Sequence, residues 1–331
     1  MWNDKKIHTV VAVLFFCICL LAAGILMLGV NKGNDSAENT KPYVAFITKS
    51  TTSAYWKSTY AGANAASTAY NLEISFDGPE NEEDYETQNE LIREAVAKGA
   101  KAIVFSAVDY NGNAEAINEA AAAGVKIVVI DSAVNSDCVM CSIGTDNYQA
   151  GIMVAEAVLS KTEKALNIGI VNFDENSENG QQREKGFRDG VANDSRVKIV
   201  DAINVISTTE EAKEGTIQML NEHPEINVIV TFNEWTSLGV GYAVKELALA
   251  EKTHVVAFDS NVVSVGMLET GEVDALIVQN PYAMGYLGVE YANALINGNK
   301  LKEQDVVTAT TLVTKENMFE PECQRVLFAF D

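Results

Sequence analysis

The chain has 331 residues, of which 47% are hydrophobic and 21% are charged, a composition typical of folded globular proteins. At this length a single hydrophobic core is not expected, and the chain is predicted to form two domains or lobes. The net charge of −22 argues against nucleic-acid binding, which needs clustered Lys and Arg, and it gives no support for docking on anionic lipid.

The N-terminus begins with a candidate membrane anchor. Residues 10–30 form a run of 21 residues without a charge, about the length that a helix needs to cross a bilayer. Lys5 and Lys6 precede this run, so residues 1–9 are predicted to stay in the cytoplasm while the rest of the chain is exported. We expect a single-pass cell-membrane protein whose polar residues 31–41 form a flexible linker.

A cleavable signal is the alternative interpretation of this run. The apolar part of a signal peptide is usually about 7–15 residues long, which is shorter than residues 10–30. A lipoprotein signal would place small residues before its cysteine, whereas Phe15 and Phe16 precede Cys17. An uncleaved anchor is therefore favoured over cleavage, and both interpretations place the rest of the protein outside the cytoplasm.

From residue 42 the chain alternates short apolar runs with stretches of helical periodicity. This alternation is typical of parallel sheets with helices on both faces, and it predicts an α/β protein with two Rossmann-like lobes. In the first series, strands are predicted at 43–48, 72–76, 102–105 and 125–130, with helices at 54–70, 83–98 and 113–123. In the second series, strands are predicted at 166–171, 197–201, 228–232, 254–258 and 275–278, with helices at 146–160, 181–192, 210–222, 237–249, 262–269 and 283–296.

Polar side chains cluster directly after the predicted strands. In open parallel sheets, ligands bind at the carboxyl ends of the strands. Two such sheets that face each other would bring these side chains together in a cleft between the lobes. The residues in question are Ser106, Asp109, Asp131, Asn233, Asp259 and Gln279.

Several ordered motifs in this region resemble one known family. They are S-A-Y-W at 53–56, V-V-I-D at 128–131, T-D-N at 145–147, R-E-K-G-F at 183–187, T-F-N-E at 231–234, A-F-D-S at 257–260 and V-Q-N-P at 278–281. Each motif is weak alone, but together, in this order and spacing, they resemble the type I periplasmic sugar-binding proteins, and the ribose-binding pattern most closely. The resemblance implies two lobes joined by a hinge, with residues 42–145 and 280–306 in the N-terminal lobe and 146–279 and 307–331 in the C-terminal lobe.

The resemblance also implies a role for individual residues. Tyr55 and Trp56 would lie against the apolar face of a sugar ring, while polar side chains bond its hydroxyl groups. Two positions depart from the ribose-binding pattern: Ser53 replaces an Asn and Ser132 replaces an Arg. No aromatic residue stands near 206–208, where the family pattern has one. We therefore expect fewer donors and less stacking surface, and a ligand larger than ribose or differently substituted. The candidate hydroxyl-binding residues are Asp131, Arg183, Asn233, Asp259 and Gln279.

Structural roles remain open for the same side chains. Tyr55 and Trp56 could be core residues at the start of a helix, and adjacent aromatics are not expected to face the same side. Asp131 and Asp259 could be N-caps of the helices that follow their strands. Arg183, on a helix, could be a solvated charge.

The five cysteines give little sign of a disulfide framework or of a metal site. Cys138 and Cys141 form a C-V-M-C pair within a stretch that resembles a strand, where positions three apart face opposite sides. Both thiols are expected to be packed in the protein.

The sequence contains no G-x-S-x-G, no P-loop and no G-x-G-x-x-G after the first predicted strand, so the chain is predicted to be a binding protein that needs no cofactor. Three functions can use such a binding region. The ligand-binding region, predicted to be monomeric, could present a bound sugar to an ABC permease, or report to a membrane histidine kinase, which the uncleaved anchor favours. A transcriptional regulator of the lactose-repressor type would need a DNA-binding helix-turn-helix where the apolar run stands.

Overall fold

The computed structural model describes residues 41–327. The predicted anchor at 10–30 and most of the linker lie outside the described residues. Between residues 41 and 327, no helix combines the length and apolar character needed to cross a bilayer.

The first sheet and its helices occupy the chain up to residue 144. All five strands in this stretch pair in parallel with their neighbours, as the alternating sequence pattern predicts. The elements are β1 Tyr43–Ile47, α1 Ala54–Ala69, β2 Glu73–Ile74, α2 Tyr85–Ala97, β3 Ala102–Phe105, α3 Ala114–Ala122, β4 Lys126–Ile130 and β5 Cys141–Gly144.

The second sheet and its helices follow, and the chain then returns to both sheets. The elements are α4 Asn147–Leu159, β6 Leu166–Asn172, α5 Glu178–Val191, β7 Val197–Asn204, α6 Thr209–Glu222, β8 Val228–Thr231, α7 Glu234–Glu246, β9 His254–Phe258, α8 Val262–Thr270, β10 Ala275–Val278, α9 Pro281–Ile296, β11 Asp305–Val307, β12 Thr311–Thr314 and α10 Pro321–Leu327.

The two sheets have the same size and a related strand order. The first runs β11-β5-β4-β3-β1-β2 and the second β12-β10-β9-β8-β6-β7. Strand β11 pairs in parallel with β5, whereas β12 pairs antiparallel with β10. The chain therefore passes between the sheets after β5, after β10 and again between β11 and β12. We call the first sheet with α1, α2, α3 and α9 the first lobe, and the second sheet with the remaining helices the second lobe; both belong to one compact unit that begins at Pro42.

Each sheet is covered by a hydrophobic core on both faces. Along β1, Val44 and Phe46 point into one core while Ala45 and Ile47 point into the other. The strands are buried on both sides because helices cover both faces, and this explains why they read as continuous apolar runs rather than as alternating patterns.

Glycines let one pair of helices in each lobe pack at very short distance. A Cβ on Gly62 of α1 would lie 2.0 Å from the carbonyl oxygen of Tyr282 in α9. In the second lobe, a Cβ on Gly186 of α5 would lie 2.1 Å from the carbonyl oxygen of Tyr148 in α4. These helices therefore touch through their backbones, which gives the Gly of the R-E-K-G-F motif a packing role.

The prediction for the cysteine pair was wrong for one of its members. Strand β5 begins at Cys141, whose thiol is buried, but Cys138 lies in the preceding turn and is exposed. Strand β2, predicted over 72–76, has only two residues, Glu73 and Ile74.

Candidate functional site

The carboxyl ends of the central strands in both sheets meet at a cavity between the lobes. The space between the walls, together with the solvent at its mouth, is about 320 Å³. Eight of the predicted site residues line it: Ser53, Tyr55, Trp56, Asp131, Arg183, Asn233, Asp259 and Gln279. Ser132 is buried beside Asp131 but is not among the lining residues, and its hydroxyl has no hydrogen-bond partner. Six further residues complete the lining: Lys49, Glu82, Phe173, Asn179, Glu234 and Trp235. We call this space the cleft cavity.

Two aspartates occupy equivalent places in the two lobes. Asp131 follows β4 with φ of 60° and Asp259 follows β9 with φ of 64°, so both lie in the left-handed region. The interpretation of these residues as N-caps was wrong, because α8 is capped by Asn261 and no helix follows β4 directly. Asp and Asn tolerate this backbone conformation better than most residues. The sharp turn brings both carboxyl groups to the cavity wall.

The carboxylate of Asp131 accepts hydrogen bonds from both lobes. Its oxygens accept from the Tyr55 hydroxyl at 2.8 Å and the Ser106 hydroxyl at 3.0 Å, both in the first lobe. The amide of Asn179 in the second lobe donates to it at 3.2 Å, and the Arg183 guanidinium lies 4.0 Å away. Asp131 is thus held in place by four neighbouring groups.

Arg183 is buried, with its side chain only 1% exposed, so its interpretation as a solvated charge was wrong. It donates to the side-chain oxygen of Asn147 at 2.9 Å, to the Phe232 carbonyl at 2.7 Å and to the Gln279 side-chain oxygen at 2.7 Å. Its guanidinium also lies 4.6 Å from the centre of the Phe258 ring. Helix α5 places Arg183 here because Gly186, one turn later, allows the close packing against α4.

Gln279 connects Arg183 to Asp259. Its amide nitrogen donates to Asp259 at 2.7 Å, while its oxygen also accepts from the Thr145 hydroxyl at 2.8 Å. Burial raises the pKa of the Asp259 carboxyl to about 7, against the lowering effects of the Arg183 charge and of the Gln279 hydrogen bond. This carboxyl group can therefore exchange a proton near neutral pH.

Tyr55 and Trp56 both line the cavity, although adjacent aromatics were expected to face different sides. Their rings meet edge to face, with centroids 4.9 Å apart and an angle of 89° between the planes. The first turn of α1 begins at Ser53, whose hydroxyl oxygen accepts from the Trp56 backbone N–H. This N-cap fixes the direction in which α1 enters the cavity wall.

Three residues that were not predicted add stacking surface and a charged donor to the cavity. Phe173, directly after β6, and Trp235, in the first turn of α7, line the cavity from the second lobe. Lys49, two residues after the end of β1, supplies a buried cation from the first lobe, and burial lowers the pKa of its ammonium group. Its nitrogen donates to Ser177 at 2.5 Å and to Asn179 at 3.3 Å, both in the second lobe.

Two glutamates of the cavity wall were not predicted. Glu82, before α2, accepts from the Trp56 indole N–H at 2.7 Å and from the Ser207 hydroxyl at 2.9 Å. Burial raises the pKa of the Glu82 carboxyl above its ordinary value, although the Lys49 charge acts in the opposite direction. Glu234, which follows Asn233 in the T-F-N-E motif, accepts from the Tyr55 backbone N–H at 3.0 Å. Across residues 41–327, no group of three or more His, Cys, Asp and Glu side chains is arranged to hold a metal ion.

Comparison with known proteins identifies the class of protein to which this fold and cavity belong. The sequence model described as periplasmic binding protein domain matches residues 44–300. The chain therefore belongs to the type I periplasmic sugar-binding protein family, as its motifs predicted.

Several proteins that are similar to this chain are named for the sugars with which they are associated. The chain is 25% identical to the D-ribose/D-allose-binding protein of Pseudomonas aeruginosa, over 82% of this chain and 87% of that one. It is 26% identical to the D-apiose import binding protein of Paraburkholderia graminis, over 90% of this chain and 94% of that one. A carbohydrate transporter solute binding protein from Agrobacterium radiobacter, solved with D-arabinose, superposes with a TM-score of 0.85 at 29% identity, covering 88% of this chain and 100% of that one.

Proposed function

We propose that this protein binds a monosaccharide in the cleft cavity, outside the cytoplasm, and presents its closed form to an ABC sugar importer. The observation that carries the proposal is the convergence of aromatic and charged side chains from both lobes on one small cavity. The D-ribose/D-allose-binding and D-apiose import binding proteins, which share its family, support the same ligand class.

The chemistry of the lining suits a sugar ring. A sugar presents C–H patches that pack on aromatic rings, and hydroxyl groups that both donate and accept. Tyr55, Trp56, Phe173 and Trp235 supply the aromatic surface. The carboxylates of Asp131 and Asp259 and the cations of Arg183 and Lys49 supply charge-assisted hydrogen bonds, which offset the loss of water from each hydroxyl. Asn233, Gln279 and Ser53 complete the proposed ligand contacts.

The lining of the cleft cavity comes from both lobes. A ligand enclosed on both sides by the two lobes can bind only if the lobes open and close. Binding then shifts the protein toward the closed form by as much as the sugar prefers that form.

A thermal-shift screen of the full-length protein tests the proposal. D-ribose, D-allose, D-arabinose, D-fucose, D-tagatose, D-glucose and D-galactose form the panel, with amino acids and nucleosides as competing solute classes. A sugar present at a hundredfold excess over its Kd is expected to add about 2.7 kcal/mol of stability. A shift with another class and with no sugar would overturn the ligand assignment.

Asp131→Asn provides the matched variant, because Asn keeps the shape and tolerates the left-handed backbone. We expect at least about a tenfold loss of sugar affinity, since charge-assisted hydrogen bonds are roughly twice as strong as neutral ones. Asp137→Asn removes the same charge from an exposed position and should bind like the unmodified protein. Equal affinities in the two variants would remove Asp131 from the proposed contacts.

A second candidate is a sensor that reports the closed form to a membrane histidine kinase. The predicted uncleaved anchor favours it, and one structural relative was solved as the XylFII–LytSN complex, at 26% identity and with a TM-score of 0.77. Adjacent genes for a permease and an ATPase would support the importer. Adjacent genes for a kinase and a response regulator would support the sensor.

A further inference from the structure

Glu82 and Glu234 each bridge the two lobes beside the cleft cavity. Glu82 belongs to the first lobe and accepts from two groups of the second, the Ser207 hydroxyl at 2.9 Å and the Asn233 amide at 3.5 Å. Its other oxygen accepts from the Trp56 indole of its own lobe. We call this arrangement the Glu82 clasp.

In the second bridge the carboxylate belongs to the second lobe and its donors belong to the first. Glu234 belongs to the second lobe and accepts from the backbone N–H groups of Ala54 at 3.3 Å and Tyr55 at 3.0 Å. These are the first two residues of α1 in the first lobe. The Asn261 amide of its own lobe holds Glu234 in place at 2.8 Å. We call this arrangement the Glu234 clasp.

The position of Glu234 at the start of helix α1 gives the Glu234 clasp an electrostatic basis. The N-terminus of a helix carries free N–H groups and a partial positive charge, which an acidic residue in the first turn usually balances. The first turn of α1 contains no acidic residue. Glu234 supplies the missing negative charge from the other lobe, so α1 is fully capped only when the lobes are closed.

We infer that the two clasps stabilise the closed arrangement of the lobes and thereby set the affinity for every ligand of the cavity. The partners of both carboxylates across the cleft belong to the protein, so each clasp links the two lobes directly. Opening the lobes would separate Glu82 from Ser207 and Asn233, and Glu234 from α1. The apparent affinity of a ligand falls in proportion to the fraction of protein that can adopt the binding-competent form.

Small-angle X-ray scattering of the full-length protein without sugar tests closure directly. The E82A/E234A double variant is expected to have a larger radius of gyration than the unmodified protein, because its lobes open more. The E82Q/E234Q variant keeps the side-chain volume and should show the same change in a smaller amount. Identical scattering from the unmodified protein and both double variants would overturn the inference.

Sugar affinities test the consequence for binding, and this part alone rests on the proposed function. For D-ribose, D-allose and D-arabinose, each Glu→Gln substitution should raise every measurable Kd by about tenfold. This is the size expected for the loss of one hydrogen bond to a charged group. The ratios between the sugars should stay unchanged. Glu90→Gln and Glu225→Gln, which remove exposed charges from the first and second lobes, are the controls and should not change any Kd.

The outcomes separate the two proposals. If no sugar binds, the proposed ligand class is wrong, while the scattering experiment still decides the role of the clasps. If a Glu→Gln variant changes the ratio between sugars, that glutamate contacts the ligand and is not a closure residue. Unchanged affinities would show that the clasps do not contribute to binding.

Discussion

Asp131 and Asp259 have an unusual backbone conformation, and both place a carboxyl group on the wall of the cleft cavity. Both lie in the left-handed region, where a residue with a larger side chain would be strained. Both also end central strands, so their carboxyl groups reach the cavity without help from a flexible loop. Backbone geometry and ligand chemistry therefore favour the same residue type at these two positions.

Asp259 should make the stability of the protein depend on pH. Its pKa is about 7 in the folded protein, against an ordinary value of 3.8, so folding favours the protonated form. Its stabilising contribution is full below pH 3.8 and is lost as the pH rises through about 7. The loss is at most about 4 kcal/mol of the free energy of unfolding.

Urea unfolding of the unmodified protein and of Asp259→Asn, measured from pH 4 to pH 8, checks this prediction. The variant cannot titrate at this position, so its free energy of unfolding should fall less between pH 4 and pH 7. Parallel curves for the two proteins would show that Asp259 keeps an ordinary pKa.

At the scale of elements, the two lobes use the same device to bring a helix to the cavity. The α1–α9 pair touches through Gly62 and Gly285, and the α4–α5 pair touches through Gly151 and Gly186. In the second lobe this contact fixes the distance between α4 and α5, and thus the position of Arg183 on α5. The packing of helices and the geometry of the cavity are therefore linked.

Gly186→Ala should destabilise the protein and weaken ligand binding together. The added methyl group would meet backbone atoms of α4, and such overpacking typically costs about 1–3 kcal/mol. Gly266→Ala in α8 is the control, because no atom lies within 4 Å of its added Cβ. It should raise stability by up to about 1 kcal/mol through helix propensity. Thermal unfolding and sugar titration of both variants provide the measurement. A Gly186→Ala variant with unchanged stability and unchanged sugar affinity would contradict the close contact.

The strands differ in how well the sequence predicts them. The central strands are continuous apolar runs, so their places could be predicted from the alternation alone. Strand β5 was expected around Cys138 and Cys141 but begins only at Cys141, and the short strands β11 and β12 were not predicted; β11 is also exposed at a sheet edge. Pairing with a distant strand stabilises them, and no local pattern encodes that pairing.

The cavity was predictable where a motif pointed to it. Lys49 follows a predicted strand and Trp235 follows the T-F-N-E motif, so the sequence carries a signal for both positions. Glu82 lies in an acidic stretch, residues 80–86, whose charges resemble an ordinary solvated surface. Both Glu82 and Glu83 contact Ser207 of the second lobe, but only Glu82 of this stretch lines the cavity, which the sequence pattern does not reveal.

At the scale of the whole molecule, the acidic character of the chain extends into the cavity. Its lining contains the carboxyl groups of Glu82, Asp131, Glu234 and Asp259 but only two cations, Lys49 and Arg183. Above about pH 7, where Asp259 is ionised, a negative charge on the ligand would add to this excess within a poorly solvated space. The cavity is therefore expected to select against anionic sugars.

Paired titrations of neutral and acidic sugars check this expectation. D-glucuronate and D-galacturonate should bind at least about tenfold more weakly than D-glucose and D-galactose, as like charges in a buried site cost more than about 1.4 kcal/mol. D-glucosamine has a similar size and the opposite charge, and it should not suffer the same loss. Equal affinity for a sugar and its uronic acid would show that the carboxyl groups are neutralised.

Because the chain passes three times between the sheets, neither lobe can be removed or exchanged as one continuous segment. Neither lobe is a continuous stretch, because β11 and α9 return to the first lobe and β12 to the second. A truncation after residue 300 would strip an edge strand from both sheets at once. Exchanging one lobe with that of a relative would require grafting separate segments of the gene together, so recombination at a single breakpoint would always leave at least one lobe with segments from both parents.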